Sequence, residues 1–492
     1  MDLNPAPLAG WTLAAEGCPV IRDVTRRLLG ALGCAEATGR RTAGDRSAAR
    51  FALGGPGRPV VRADVDWAGP VVLPLVDEGT VQAACGVAAV HGRRTGGPAL
   101  LPIPYCSAVA GALAAQGLLA ALLWGHTQAT TSVAQAALLT VGQHLAAATA
   151  PDAVSEPGLP GGPPFVSADG VRFEIETLDA EPWSRFWSAL GAAPEAIRQG
   201  WPPFQHRFAT GTCPLPADLH AVVARYTYPD LRAAATRAGV ATMDVRTTVP
   251  DLPPWTLHAE PGPSGHSSDL RVVEVTRRVQ GPLIGHLLRL LGADVTRIEP
   301  VGGDPLRGVP PMVGDCSARF LALNRGKQVV EADLRTDAAT VRALDADVFV
   351  HNLAPGRAEA YNLDRAGNRV YAHADGWGDT LGPNPPIGTD YLVQAYSGLS
   401  ARQPSLLTLT DVFGGLVATT GILGALLAPG RHRLHSSLLS GASVLAAACQ
   451  RHTTVDTAAP RTDLATVAAD PAFAKALERD GCALPATPWE FA

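Results

Sequence analysis

Asp411 is the only acid in the stretch SLLTLTDVFGGLVATTGILGALL, from Ser405 to Leu427. A short apolar approach ends at this carboxylate, and a long, nearly uncharged segment of helical character follows at once. A helix with so few charges is buried from most sides, and Gly414, Gly415 and Gly421 let other backbone come close to it. Two readings of the acid follow. Thr410 or Asp411 accepts the first free N–H groups of the helix as a cap. Alternatively, an ionised carboxylate held by the helix dipole and by backbone donors is a nucleophile.

A second stretch has the same plan. Val81-Gln82-Ala83-Ala84-Cys85-Gly86 recurs as Val393-Gln394-Ala395-Tyr396-Ser397-Gly398, and each copy leads into an Ala/Gly-rich apolar segment. Aligning Gly111 with Gly415 and Gly117 with Gly421 pairs Leu122-Leu123 with Leu426-Leu427 and puts Ser107 where the other copy has Asp411. The pattern predicts an internal duplication in which one copy keeps its carboxylate.

These segments belong to a chain of 492 residues, enough for two to four domains. Hydrophobic residues make up 47% and charged residues 17%, with a net charge of −5, which argues against a nucleic-acid or anionic-membrane surface. The eight cysteines are scattered, with no CxxC pair and no histidine cluster at metal spacing; reduced thiols in a cytoplasm and no metal are expected. The start, MDLNPAPLAGW, lacks the basic and apolar regions of a signal peptide. Ala108 to Trp124 and Val412 to Ala428 approach membrane length, but with Gln116, Thr419 and Thr420 inside them and no basic flanks they read as buried helices.

In chain order, residues 1–150 read as a degenerate large-domain repeat and 151–265, with its linkers, as a small α/β domain. Residues 266–452 read as an intact large domain and 453–492 as a C-terminal return segment. Gly39 to Pro59 looks like loop, and Pro250 to Ser268 like a linker. From Arg271, strand and helix alternate: strands at Arg271–Val275, Ala293–Glu299, Asp347–His351 and Arg369–Ala374, helices at Pro282–Leu291 and from Gly356. Alternation of this kind predicts an α/β fold with a doubly wound parallel sheet. No GxGxxG follows the first strand, so a nicotinamide-type dinucleotide is not supported.

The second half carries VVEVTRRVQGPLIGHLLRLLGADVTRIEPVGGDPLRG, LNRGKQVVEADLRT, DVFVHNLAPGRAEAYNLD, VYAHADGWG, GTDYLVQAYSGL and LTDVFGG, in that order. This series resembles the class III CoA-transferases, the family of formyl-CoA, carnitine-CoA and bile-acid CoA-transferases and α-methylacyl-CoA racemases. VSADGVRFEIETLDAEPWSRFWSALG is similar to that family's small domain, and TPWEFA to its end. The resemblance implies acyl-CoA as substrate, a carboxylic acid as acceptor, and Asp411 as the nucleophile that forms an acyl-aspartyl anhydride. It implies oxyanion donors at the start of the Val412 helix, CoA contacts at Arg307, Arg325, Lys327, Asn352, Arg357 and Gly376, and substrate-side positions at Gln280 and Thr389. The racemase branch has a histidine where this chain has Thr389, so transfer is favoured over racemisation. Family members are interlocked dimers, and the order of parts here implies a fused pseudo-dimer with Asp411 facing the small domain of the first half, as a pseudo-dimeric monomer or a homodimer. A third reading, a CoA-binding pseudoenzyme, follows from the eroded first copy and the lack of a glycine-rich loop.

Overall fold

From Arg271 onward the apolar runs pair into a seven-stranded sheet. Its order is Gln328–Glu331, Asp294–Glu299, Arg271–Val275, Val348–His351, Val370–Asp375, Arg431–Ser437 and Thr256–Glu260. The first six are parallel. Counted in chain order they run 3-2-1-4-5-6, the doubly wound arrangement, and the order reverses between Arg271–Val275 and Val348–His351. Val272, Val273, Val275, Val348, Phe349 and Val350 are all buried, as strands covered on both faces must be. In this computed structural model the described residues are 6–37, 47–154, 156, 158–262, 269–449 and 460–492.

The seventh strand corrects the sequence reading. Thr256–Glu260 lies in the expected linker, yet it pairs antiparallel with Arg431–Ser437 and closes that edge. Its alternation is only half-buried, as suits an edge, so no apolar run announces it.

The first half builds a six-stranded sheet in the order Ala35–Glu36, Thr12–Gly17, Ser47–Gly55, Arg58–Asp66, Gln128–Ser132 and Glu490–Phe491. Its third strand is antiparallel to both neighbours, a hairpin where the other sheet has a parallel strand reached by a crossover. Part of the expected Gly39–Pro59 loop is therefore strand; residues 39–46 lie outside the described ones. Each sheet ends on an antiparallel strand delivered from elsewhere in the chain, and each delivery carries a Pro-Trp. Trp489 packs where Gly117 lacks a side chain, and Trp255 where Gly421 does.

Between the sheets the helices Tyr105–Trp124 and Leu409–Leu427 pack on each other. Both are long and apolar enough to cross a membrane, but 94% of each apolar window is buried inside the protein. Gln116 Nε2 donates to the carbonyl of Leu416 at 2.8 Å and Tyr105 Oη to that of Leu409 at 3.1 Å, so two side-chain donors tie this seam together. The Ala-rich run after Gln128–Ser132 forms two helices, Val133–Thr140 and Gly142–Thr149. They part beside Gly142, where a Cβ would lie 3.1 Å from Pro485. The small domain sets four helices on the antiparallel strands Phe165–Val166, Arg172–Glu176 and Ala241–Asp244, around Trp183, Phe186, Trp187 and Phe204.

Candidate active site

Asp411 stands in the first turn of Leu409–Leu427, whose N-cap residue, Thr408, makes no side-chain cap. The cap comes from Asp390. Its Oδ1 accepts from the Thr410 N–H at 2.6 Å, the Thr410 hydroxyl at 2.7 Å and the Asp411 N–H at 2.9 Å. Gln394 donates to Asp390 Oδ2 at 2.5 Å and to the carbonyl of Leu407 at 3.1 Å, which locks the carboxylate in place. The expectation that Thr410 or Asp411 caps its own helix is thus corrected: a buried carboxylate from another segment already satisfies those donors. The Val412 N–H goes to the carbonyl of Thr408 at 3.1 Å, so the expected oxyanion donors at the helix start are occupied as well.

Relieved of capping, the Asp411 carboxylate accepts no hydrogen bond among the described residues. It is half-buried. Burial first, and then the negative charges of Asp390 and Glu176, push its carboxyl well above the usual carboxylate range, against the pull of Arg278. Arg278 is exposed on the loop after Arg271–Val275 and has φ 67°, a left-handed backbone rare outside glycine.

Glu176 ends the small-domain strand Arg172–Glu176. Its Oε2 accepts the Thr389 hydroxyl at 3.0 Å and Arg207 Nη2 at 3.2 Å, so the small domain meets the second large unit one residue before Asp390. Arg207 is fully buried between Glu174, Glu176 and the rings of Phe204 and Tyr391. On the other side, the buried Gln280 Nε2 has no partner among the described residues, and a Cβ on Gly414 would stand 3.0 Å from it. Gly414 lies one turn beyond Asp411, so this free amide donor faces the same side of the helix.

The first copy repeats the cage. Glu78 accepts from the N–H groups of Cys106 at 2.9 Å and Ser107 at 2.8 Å, and from the Ser107 hydroxyl at 2.6 Å. Gln82 donates to Glu78 at 2.9 Å and to the carbonyl of Ile103 at 3.0 Å. Even the N-cap backbones agree, with φ −78° and ψ 62° at Pro104 against φ −77° and ψ 66° at Thr408.

Several expected CoA contacts are engaged elsewhere. Arg307 is held by Glu299 through two bonds of 2.8 Å, over the ring of Phe320. Arg325 is buried and donates to the carbonyl of Pro485 at 2.7 Å, tying down the C-terminal segment. Lys327 is buried against Glu274 at 2.9 Å and the carbonyl of Pro282 at 2.8 Å, and its loss of solvent lowers its pKa to about 8. These cations support the sheet. Gly376 lies back to back with Gly388: a Cβ on it would stand 2.4 Å from the Gly388 Cα, so it shapes the loop before Thr389. Asn352 grips the backbone of Arg277 from both sides, Oδ1 accepting at 2.9 Å and Nδ2 donating at 2.8 Å. Arg357 is exposed and bonded only to the Tyr361 hydroxyl, at 3.5 Å, among the described residues. Their partners Arg277 and Tyr361 line a crevice at the carboxyl ends of the strands, together with Glu299, Arg335 and Leu353. That is the switch point of the doubly wound sheet, where such folds bind ligands.

The model of CoA-transferase family III matches residues 75–250 and 268–457, most of the chain and both of its halves. The chain belongs to CoA-transferase family III. Among relatives of the family it is 35% identical over 187 residues to the succinate–glutarate CoA-transferase of Agrobacterium fabrum, covering 32% of this chain and 46% of that protein. It is 31% identical over 217 residues to the succinyl-CoA:mesaconate CoA-transferase of Haloarcula hispanica, covering 39% and 52%. A CaiB/BaiF family protein from Brucella suis aligns at 30% identity over 35% of this chain and 53% of its own, with a TM-score of 0.32. The chain spans about half the length of the relatives it matches.

Three residues that the structure brings to Asp411 were not among the site residues expected from the sequence: Asp390, Glu176 and Arg278. Asp390 had a signal. An acid stands four residues before the glutamine in both copies, as Glu78–Gln82 and Asp390–Gln394, the spacing of one helical turn. Nor does local spacing reveal the grouping of His373, Asp375 and His435, which lie on neighbouring strands: the sequence has no histidine cluster at metal spacing, and the sheet brings these three together.

Proposed function

We propose that the chain is an acyl-CoA transferase whose nucleophile is Asp411, moving CoA from an acyl-CoA to a second carboxylic acid in a reducing, cytoplasmic compartment. The observation that carries this reading is the division of labour between two acids: Asp390 caps the helix, and the half-buried Asp411 is left without a donor among the described residues. A carboxylate deprived of solvent and set beside another negative charge is a stronger base and nucleophile.

Asp411 attacks the thioester carbon, the C–S bond breaks, and the CoA thiolate leaves with the electron pair, which gives an acyl-aspartyl anhydride. The acceptor carboxylate attacks the aspartyl Cγ and expels the donor acid. Thiolate attack on the new acyl carbon then releases Asp411 and the product thioester. Gln280 Nε2 supplies a hydrogen bond to the tetrahedral oxyanion, in place of the occupied helix N–H groups. Arg277, at the switch-point crevice, and Arg357, beside the Tyr361 that lines it, hold the CoA phosphates.

The matched Glu78 and Asp390 cages support a fused pseudo-dimer, with Ser107 at the silent position. To test the reading, the chain is incubated with succinyl-CoA and hydroxylamine and digested for mass spectrometry. Modification of Asp411, absent from Asp411→Asn, is the expected result; an unmodified Asp411 with free CoA below the blank rejects the reading in favour of a binding-only protein.

A further inference from the structure

Away from Asp411, three imidazoles stand in a row across the seven-stranded sheet. The register pairs His351 with His373, and His373 with His435, on adjacent parallel strands. The rings stack at centroid separations of 4.3 and 5.0 Å. Asp375, two residues beyond His373 and on the same face, places Oδ2 3.0 Å from Nε2 of His435. Taking one ligand atom from each, His373, Asp375 and His435 hold theirs within 4.8 Å of one another.

Two further features set this group apart from packing histidines. The Leu353 carbonyl, which can only accept, lies 3.1 Å from Nε2 of His373, so that nitrogen carries the proton and Nδ1 keeps a lone pair. An imidazole oriented by a carbonyl in this way is the usual support of a metal ligand. His351, 2% exposed, lies against His373 and has no partner on either nitrogen among the described residues, so the inner end of the row is without the hydrogen bonds that buried histidines normally make. The outer end opens to solvent through a cleft lined by Trp255, Thr256, Trp377, Asp379 and His435.

We propose that His373, Asp375 and His435 form a binding site for a divalent first-row transition-metal ion such as Zn²⁺, reached through this cleft. Two imidazoles and one carboxylate are a set that zinc accepts, with water from the cleft as fourth ligand. In the stacked arrangement the two ring planes lie 7° from parallel, so their lone pairs do not converge. Binding therefore turns the His435 ring out of the stack, and the 29% exposure of its side chain at the cleft edge allows that. The ion would also stiffen Asp375–Gly376, which backs onto Gly388 and so onto the Thr389 loop.

The test titrates the chelator-treated full chain with Zn²⁺ by calorimetry and with Co²⁺ by visible absorption. The expected result is saturation at a single equivalent, weakened at least about tenfold in both His373→Ala and His435→Gln, and unchanged in His126→Ala. His435→Gln changes a part-exposed side chain, so a folded variant is at hand if His373→Ala is not. Absence of saturable binding, or wild-type affinity in His435→Gln with its circular dichroism intact, overturns the proposal.

Discussion

The backbone N–H of Asp411 donates to Oδ1 of Asp390 at 2.9 Å, so the two acids of the site have different tasks. One is a fixed acceptor for the helix start; the other is held close to that charge and raised in pKa by it. Removing the charge of Asp390 lowers the pKa of Asp411. Because the attacking form is the carboxylate, the acid limb of the kcat/KM profile in Asp390→Asn moves to lower pH. The same change sets an amide N–H against the Gln394 amide and costs about 1–3 kcal/mol of stability, read by urea denaturation.

Asp411 itself costs stability at neutral pH. Its pKa is higher folded than unfolded, so the native chain holds the extra proton between the two values and stability falls as pH rises through that window. Asp411→Asn is expected to lose the acyl adduct yet gain about 1–2 kcal/mol at pH 7. The gain shrinks as pH falls toward the ordinary Asp value of 3.8. Denaturant midpoints across pH check this, and equal stability of the two proteins at pH 7 contradicts it.

Lys327 and Arg277 separate support from binding. Lys327→Met leaves Glu274 short of a buried partner and is expected to cost about 2–4 kcal/mol, with KM for acyl-CoA unchanged in the folded fraction. Arg277→Ala, exposed at the switch-point crevice, is expected to leave stability within about 0.5 kcal/mol and to raise KM with little change in kcat. Steady-state kinetics beside thermal melts distinguish the two.

The Ser107 position tests the silent copy. In Ser107→Asp a second carboxylate meets Glu78 Oε2, which now accepts the serine hydroxyl at 2.6 Å, and the like charges destabilise the helix start. No second small domain stands opposite among the described residues, so adduct counting by intact mass is expected to stay at a single acyl group per chain.

Much of this arrangement is legible in residue order. The parallel sheet follows from apolar runs separated by helical periodicity, and the Arg271–Val275 strand keeps the expected bounds. The recurring VQA and the paired glycines precede and line two helices with matching acid–glutamine cages, and Asp411 stands out at the head of an uncharged helix. Harder to see were the edge strand Thr256–Glu260, whose alternation is weak because an edge has one open side, and the inner strand Ser47–Gly55, which lies in a Gly/Arg/Pro-rich run.

The sequence by itself determined the family, the doubly wound half and the lone acid at the head of the apolar helix, because those depend on composition and spacing along one segment. Only the tertiary structure decided that Asp390 rather than Thr410 caps that helix, that Arg307, Arg325 and Lys327 are struts, and that Glu176 and three histidines meet partners far along the chain. Whether a charge is free depends on what folds against it. For Lys327 the partner is 53 residues away, and for Glu176 it is 213, a distance over which local periodicity carries no information.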